Sequence, residues 1–232
     1  MTIHCKVVSL TYLNTKTLAV CLQADREFEF KAGQYVSIDL GESGKLPFSI
    51  ASMPMGDSRF ELHLGGISEQ SSLLAGVKYL QSCFERGHVV KVETAKGNAW
   101  LRETKAKVIL IAGGSGYTYA RSILQAALRQ DPERHLTLYW GAYSESDLYE
   151  HDYLMGLTKE YANFHYIPVT EVTSADSVTR QGKLLDIVYQ DADFWALPDV
   201  YICGRYEMVQ AASLYLERQY EGRLTLYSDA LS

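Results

Sequence analysis

Val108-Ile109-Leu110-Ile111-Ala112 runs without a polar residue into Gly113-Gly114-Ser115-Gly116, and the fold is decided there. An unbroken apolar, β-branched run is what a parallel strand covered on both faces requires. Behind the glycines, residues 119–130 carry apolar side chains at helical spacing. Strand, glycine turn and helix together open a βα unit. At such a junction backbone N–H groups and the positive end of the helix dipole can meet a diphosphate, whose approach a Cβ would block. The spacing is neither G-x-G-x-x-G nor G-x-x-x-x-G-K-S/T, so on these residues alone a nucleotide cradle and a plain glycine turn both stay open.

Downstream the same grammar repeats. Residues 136–140, 164–169, 200–203 and 224–227 read as further strands. Residues 184–190 and 206–220 read as helices, as do residues 146–161 with Tyr149, Tyr153, Leu154 and Leu157 on one side. The acids between Glu145 and Asp152 read as the solvated start of that last helix, where they favour its dipole. This is the pattern of a doubly wound α/β domain.

Upstream the apolar runs are short and alternating, at residues 5–10, 17–22, 35–40, 48–51 and 60–64, with turn residues between them. They predict a small antiparallel barrel or sandwich. Leu73, Leu74, Val77, Leu80 and Phe84 predict one helix over residues 68–84 with Ser68 as N-cap, and residues 88–92 return to strand. The polar stretch 95–107 connects the halves, so the expected division is a β domain over residues 1–102 and an α/β domain over residues 103–232.

Composition narrows the function. Of 232 residues, 47% are apolar and 22% charged, which excludes a disordered or collagen-like chain. Twenty-two basic against 28 acidic residues give a net charge of -6 and offer no footprint for nucleic acid or an anionic membrane. The longest apolar runs, about five residues, fall far short of the roughly 20 that cross a bilayer. The first ten residues alternate and carry His4 and Lys6 where a signal peptide would have an apolar block, so the expected location is cytoplasmic. Cys5, Cys21, Cys83 and Cys203 form no C-x-x-C pair and the six histidines no ligand spacing, so no metal site is expected.

Three other stretches hold chemistry. Leu46-Pro47-Phe48-Ser49-Ile50-Ala51-Ser52 sets hydroxyls beside an aromatic, which suits a flat polar ring, although an edge strand entering a turn has the same look. Val200-Tyr201-Ile202-Cys203-Gly204-Arg205 brings a thiol to the carboxyl end of a buried strand, where α/β sheets hold ligands. Its neighbours argue for a contact rather than a nucleophile. His63 closes an alternating strand, a place where a hydrogen-bonded structural histidine is common.

In chain order, Leu46-Pro47-Phe48-Ser49, Gly113-Gly114-Ser115-Gly116 and Cys203-Gly204 resemble the signature blocks of the ferredoxin reductase superfamily. Over essentially its whole length the chain is most similar to the short NAD(P)H:flavin reductases, especially the LuxG-type reductases of luminous bacteria. Residues 30–35, 97–102 and 117–123 share in the likeness. The resemblance implies a flavin-binding barrel followed by an NAD(P)H-binding α/β domain. It implies flavin lined by Pro47, Phe48 and Ser49, with Ser49 bonding near N5 as the catalytic residue and His63, Leu64 and Gly65 on the ring's other side. Gly113, Gly114, Ser115 and Gly116 would cradle the nucleotide diphosphate, and Cys203 and Gly204 would border the nicotinamide.

Two departures set the expected cofactors. Leu46 stands where the family commonly has an arginine for flavin phosphate, and the chain closes on Asp229-Ala230-Leu231-Ser232 without the aromatic that covers the ring in many members. Both favour FMN or riboflavin as a dissociable substrate over a held FAD. After the second strand, Gly141-Ala142-Tyr143-Ser144-Glu145 has no cation for a 2′-phosphate, so NADH is the expected donor ahead of NADPH. The reduced flavin would serve luciferase or another flavin-dependent oxygenase. The alternatives are an FAD-bound reductase feeding a protein partner, and a non-catalytic flavin- or nucleotide-binding electron-transfer subunit.

Overall fold

Two six-stranded sheets carry the chain, seen in a computed structural model that describes residues 1–71, 73–173, 178–193 and 195–231. In the first sheet, β1 (Thr2–Asn14), β2 (Thr17–Ala24), β3 (Tyr35–Asp39), β4 (Lys45–Ser49), β5 (Arg59–Gly65) and β6 (Val89–Glu93) pair antiparallel in the order β4-β3-β6-β1-β2-β5. A bridge between Ile50 and Leu62 joins the two outer strands and closes the sheet into a barrel. Strand alternation fills its interior: Ile3, Cys5 and Val7 of β1 meet Leu18, Val20 and Leu22 of β2 and Phe60, Leu62 and Leu64 of β5. The helix α1 (Leu73–Arg86) lays Leu73, Val77, Leu80 and Cys83 against this core. Its first turn differs from the expected one. Ser68 O accepts the Ser71 N–H in a preceding turn, and the Ser71 hydroxyl accepts the Leu73 N–H.

The second sheet is wholly parallel. It holds β7 (Val108–Gly113), β8 (Leu136–Ala142), β9 (Phe164–Thr170), β10 (Arg180–Gln181), β11 (Asp199–Cys203) and β12 (Thr225–Tyr227) in the order β10-β9-β8-β7-β11-β12. Val108, Leu110 and Ala112 face α2 (Tyr117–Gln130) and α3 (His151–Glu160), while Ile109 and Ile111 face α4 (Leu184–Ala192) and α5 (Tyr206–Gln219). Helices on both faces explain the unbroken apolar run. Strand order reverses between β7 and β11, which makes their carboxyl ends the crevice of the sheet.

The helix expected over residues 146–161 is two pieces. Ser144 and Asp147 close a capping box around one 3-10 turn, Glu145–Asp147, and Leu148 then leaves helical geometry at φ -85°, ψ 64°. Tyr149 therefore precedes α3, which begins at His151. Among the described residues no helix is long and apolar enough to cross a membrane.

β6 ends at Glu93 and β7 begins at Val108, and the segment between them is tied to both sheets. Leu101 N–H donates to Ala32 O, and Arg102 N–H donates to the Tyr201 hydroxyl. Ala32, Ala99 and Leu101 share one buried cluster with α2, so the barrel is packed onto the α/β sheet.

Candidate functional site

The carboxyl ends of β7 and β11 come so close that only glycine fits between them. A Cβ on Gly116 would overlap the Cys203 carbonyl oxygen and sit 2.6 Å from its carbon, and one on Gly113 would lie 2.6 Å from Met208 Sδ. Gly204 approaches the same Met208 and would bring a Cβ to 3.4 Å from Gly113 Cα. Gly114 differs: its φ is +54° and a Cβ would find open space. The Trp140 indole N–H holds this turn by donating to Gly114 O at 3.0 Å. The 3-10 turn Gly114–Gly116 runs straight into α2, with Tyr117 N–H donating to Gly114 O, and no side chain caps that turn, so the amides at its start are the ones placed to meet water or an anion. A cradle with one open, left-handed glycine fits a diphosphate.

The barrel meets this turn directly. A Cβ on Gly65, the last residue of β5, would lie 3.0 Å from Ser115 Cβ. Leu64 points into the barrel core. His63 is only 1% exposed at its side chain, with Nε2 2.9 Å from Glu61 Oε1 and Nδ1 3.1 Å from the Tyr149 hydroxyl. Its ring is thus committed to neighbours from both halves of the molecule.

Pro47, Phe48 and Ser49 lie on β4, paired with Ser37, Val36 and Tyr35 of β3. Pro47 is exposed and Ser49 partly buried on one face of β4, while Phe48, paired with Val36, packs against the barrel core on the other. A chain of contacts leads from here to Asp229. Tyr35 touches Gly97, where a Cβ would lie 3.2 Å from Tyr35 Cδ1 and overlap the Asp229 carboxylate. Asp229 Oδ1 accepts the Asn98 N–H at 2.7 Å and the Ala99 N–H at 3.1 Å. Burial, reinforced by the Asp229 charge, pushes the Cys203 thiol up to about 11, so it is neutral at pH 7. Asp229, to which the sequence alone assigns no role, thus ties its own turn to residues 97–99.

A second group was misjudged from sequence. Glu150, expected in a solvated acidic run, is only 14% exposed and accepts from Arg121 Nε at 2.8 Å and the Tyr117 hydroxyl at 2.5 Å. Arg121, equally buried, also reaches Glu61 Oε1 at 3.3 Å and donates to Ala51 O at 3.0 Å. Burial works against the Arg121 charge, yet Glu150 and Glu61 together raise it above its ordinary range. Burial likewise pushes Glu61 up, but the His63 hydrogen bond and the Arg121 charge outweigh it and hold the carboxyl low. The available signal was Arg121 itself, four residues after Tyr117 on a helix face otherwise apolar.

A barrel packed on a doubly wound sheet, with glycine turn and thiol strand meeting at the switch point, defines a ferredoxin reductase-like oxidoreductase. A cytochrome P450 reductase from Amycolatopsis superposes with a TM-score of 0.82 at 22% identity, over 98% of this chain and 69% of that one. The oxidoreductase NAD-binding domain model matches residues 110–213. A probable flavin reductase of Vibrio harveyi is 37% identical over 98% of both chains, and an NAD(P)H-flavin reductase of the same organism is 37% identical over 91% of this chain and 90% of its own. The chain belongs to the NAD(P)H-flavin reductase family.

Proposed function

We propose that the chain passes hydride from NADH to a dissociable flavin, FMN or riboflavin, and releases the reduced product. The observation that carries this reading is the contact of Gly65 with Ser115, which joins the barrel to the glycine turn, beside the contacts that run from Ser49 through Tyr35 and Gly97 to Asp229. When both substrates are bound, the nicotinamide supplies hydride at C4 and the flavin takes it at N5. The protein's part is to hold two rings in register and exclude water. Pro47 offers an apolar flank beside Ser49, whose hydroxyl donates toward N5, and Phe48 braces that strand from the barrel core. Gly65 and the backbone of His63 and Leu64 back the flavin from β5, the two buried side chains fixing that strand. Residues 113–116 take the nucleotide diphosphate, and Cys203 and Gly204 border the nicotinamide, the thiol acting by contact. The division falls near residue 103, with flavin bound by residues 1–102 and nucleotide by residues 103–232.

The adenosine half extends toward a hollow of about 550 Å3 lined by Glu145, Ser146, Tyr149, Glu150, Asp152 and Thr179 among others. Carboxylates line it, and no lysine or arginine does among the described residues, which supports NADH over NADPH. Glu145→Arg is expected to shift the kcat/KM ratio toward NADPH about tenfold, as for one charge reversed near a phosphate. A ratio unchanged in this variant, or already favouring NADPH in the unaltered chain, removes Glu145 from donor selection.

Leu46 in place of a phosphate-binding cation supports flavin as substrate rather than a held group. Gel filtration after loading with FMN tests this: the flavin should separate from the chain. Retained FAD in stoichiometric amount contradicts it and would indicate a reductase serving a protein partner. The reduced flavin passes, in the cytoplasm, to luciferase or another flavin-dependent oxygenase.

A further inference from the structure

Two consecutive residues of α2 hold two consecutive carbonyls of the barrel. Arg121 Nη1 donates to Ala51 O at 3.0 Å, and the Ser122 hydroxyl donates to Ser52 O at 2.7 Å. Both carbonyls belong to the segment that leaves β4 just after Ser49. The segment is held from its other side too, since Ala51 N–H donates to Glu61 O at 2.7 Å and Glu61 N–H donates to the Ser52 hydroxyl at 3.0 Å. α2 is also the helix that grows out of the turn Gly114–Gly116. One rigid element therefore ends at the nucleotide cradle and grips the strand bearing Ser49.

The grip is made of charge in a place where apolar packing would serve stability as well. Replacing a buried ion pair with matched apolar residues is often neutral for stability, so such a pair is weak evidence of a stabilising role. Directional bonds do supply a fixed register, which apolar surfaces supply poorly. Every cation–anion and hydroxyl contact of the group spans the two halves or braces one that does: Arg121 to Glu61, Glu150 to Arg121 and Tyr117, and His63 to Glu61 and Tyr149. The guanidinium serves three acceptors at once in a planar fork that lysine cannot reproduce.

We infer that Arg121, assisted by Ser122, is a positioning residue that sets the distance and angle between the flavin strand and the nucleotide turn. The inference rests on the functional reading above. Misplacement of reacting atoms by about 1 Å can cost 10²-fold in rate without loss of binding.

The test uses Arg121→Lys and Ser122→Ala in the full chain, beside the unaltered protein. Alanine at 121 would strand Glu150 without its cation and is avoided. Arg121→Lys is expected to lower kcat for NADH-to-FMN transfer by about tenfold or more, with both KM values within about twofold. The isotope effect from NADH deuterated at the transferred position should rise on kcat as transfer becomes limiting. Ser122→Ala removes one hydrogen bond and should show the same split with a loss of about two- to fivefold. Independently of activity, hydrogen exchange in the flavin-free chain should quicken in peptides covering residues 49–52 and 61–65 and stay unchanged in β1. A lowered melting temperature with kcat and isotope effect unchanged overturns the inference, as does a raised KM with kcat intact. Should Arg121→Lys fail to fold, Ser122→Ala decides by the same criteria. If the unaltered chain reduces no flavin, the functional reading fails instead, and the exchange data alone judge the grip.

Discussion

Ser49→Ala is expected to lower kcat for flavin reduction about 10²-fold, with the KM for NADH changed by less than about twofold. The reason lies in where charge appears. A ring accepting hydride gains negative charge at the accepting edge, and a hydroxyl already aimed there stabilises that charge without reorganising. Ser49 is suited to hold such an aim because its backbone is fixed from both sides. Its partner Tyr35 pairs with it across β3 and β4, and the next residue, Ile50, donates to Gln34 O at 3.0 Å and bridges Leu62 at the barrel closure. Anaerobic stopped-flow traces of the variant separate transfer from binding. Unchanged transfer would take Ser49 out of the reaction, while Ser49→Thr should recover much of the rate because it restores the hydroxyl.

Gly116→Ala is expected to be the most damaging small substitution in the α/β half. The added Cβ would overlap the Cys203 carbonyl oxygen, lie 2.6 Å from its carbon and 3.0 Å from Gly204 N, all of them backbone atoms that cannot swing aside. The β11 exit must then move away from β7, at a cost of about 3 kcal/mol, the upper range for overpacking. The same movement should raise the KM for NADH about tenfold or more, because it spreads the cradle. Gly114→Ala makes the control. There the space is open and only the φ of +54° is unfavourable, at about 1 kcal/mol for a side chain in the left-handed region. Urea unfolding and NADH titration of the two variants should therefore rank Gly116→Ala well below Gly114→Ala. Equal stabilities would mean that the two strand ends are not in the close contact described.

The parallel strands and the glycine turn were legible because they rest on local patterns, whereas the reversal of strand order between β7 and β11 is a property of the topology. A fully apolar strand, a glycine turn and helical spacing sit within residues 108–130, and each is a property of near neighbours. The barrel strands were legible for the same reason, whereas the closure was not, since it depends on a bridge between Ile50 and Leu62 that no alternation announces. The turn Glu145–Asp147 reads as helix because its composition, with the capping box of Ser144 and Asp147, suits a helix N-terminus, but Leu148 at φ -85°, ψ 64° ends it after one turn. β10, two residues long, is too short to leave a periodic trace.

Within the site, residues at strand ends could be picked out one by one, but their pairings could not. Glu150 looks solvated among its charged neighbours, and only the fold brings it to Arg121, 29 residues away. His63 finds Tyr149 at a separation of 86 residues, which turns a lone strand histidine into a link between the halves. Asp229 was read only for the aromatic missing around it, while its carboxylate binds backbone 131 residues earlier. These partnerships are long-range and electrostatic, and periodicity carries no information about them.

The most direct test of hydride crossing from one half of the molecule to the other is to mix the chain anaerobically with NADH and free FMN and follow the flavin absorbance. Bleaching that saturates in both substrates, with one NADH consumed per flavin reduced, is the predicted result. A folded chain that leaves the flavin oxidised at the uncatalysed rate, whatever the concentrations, would contradict it.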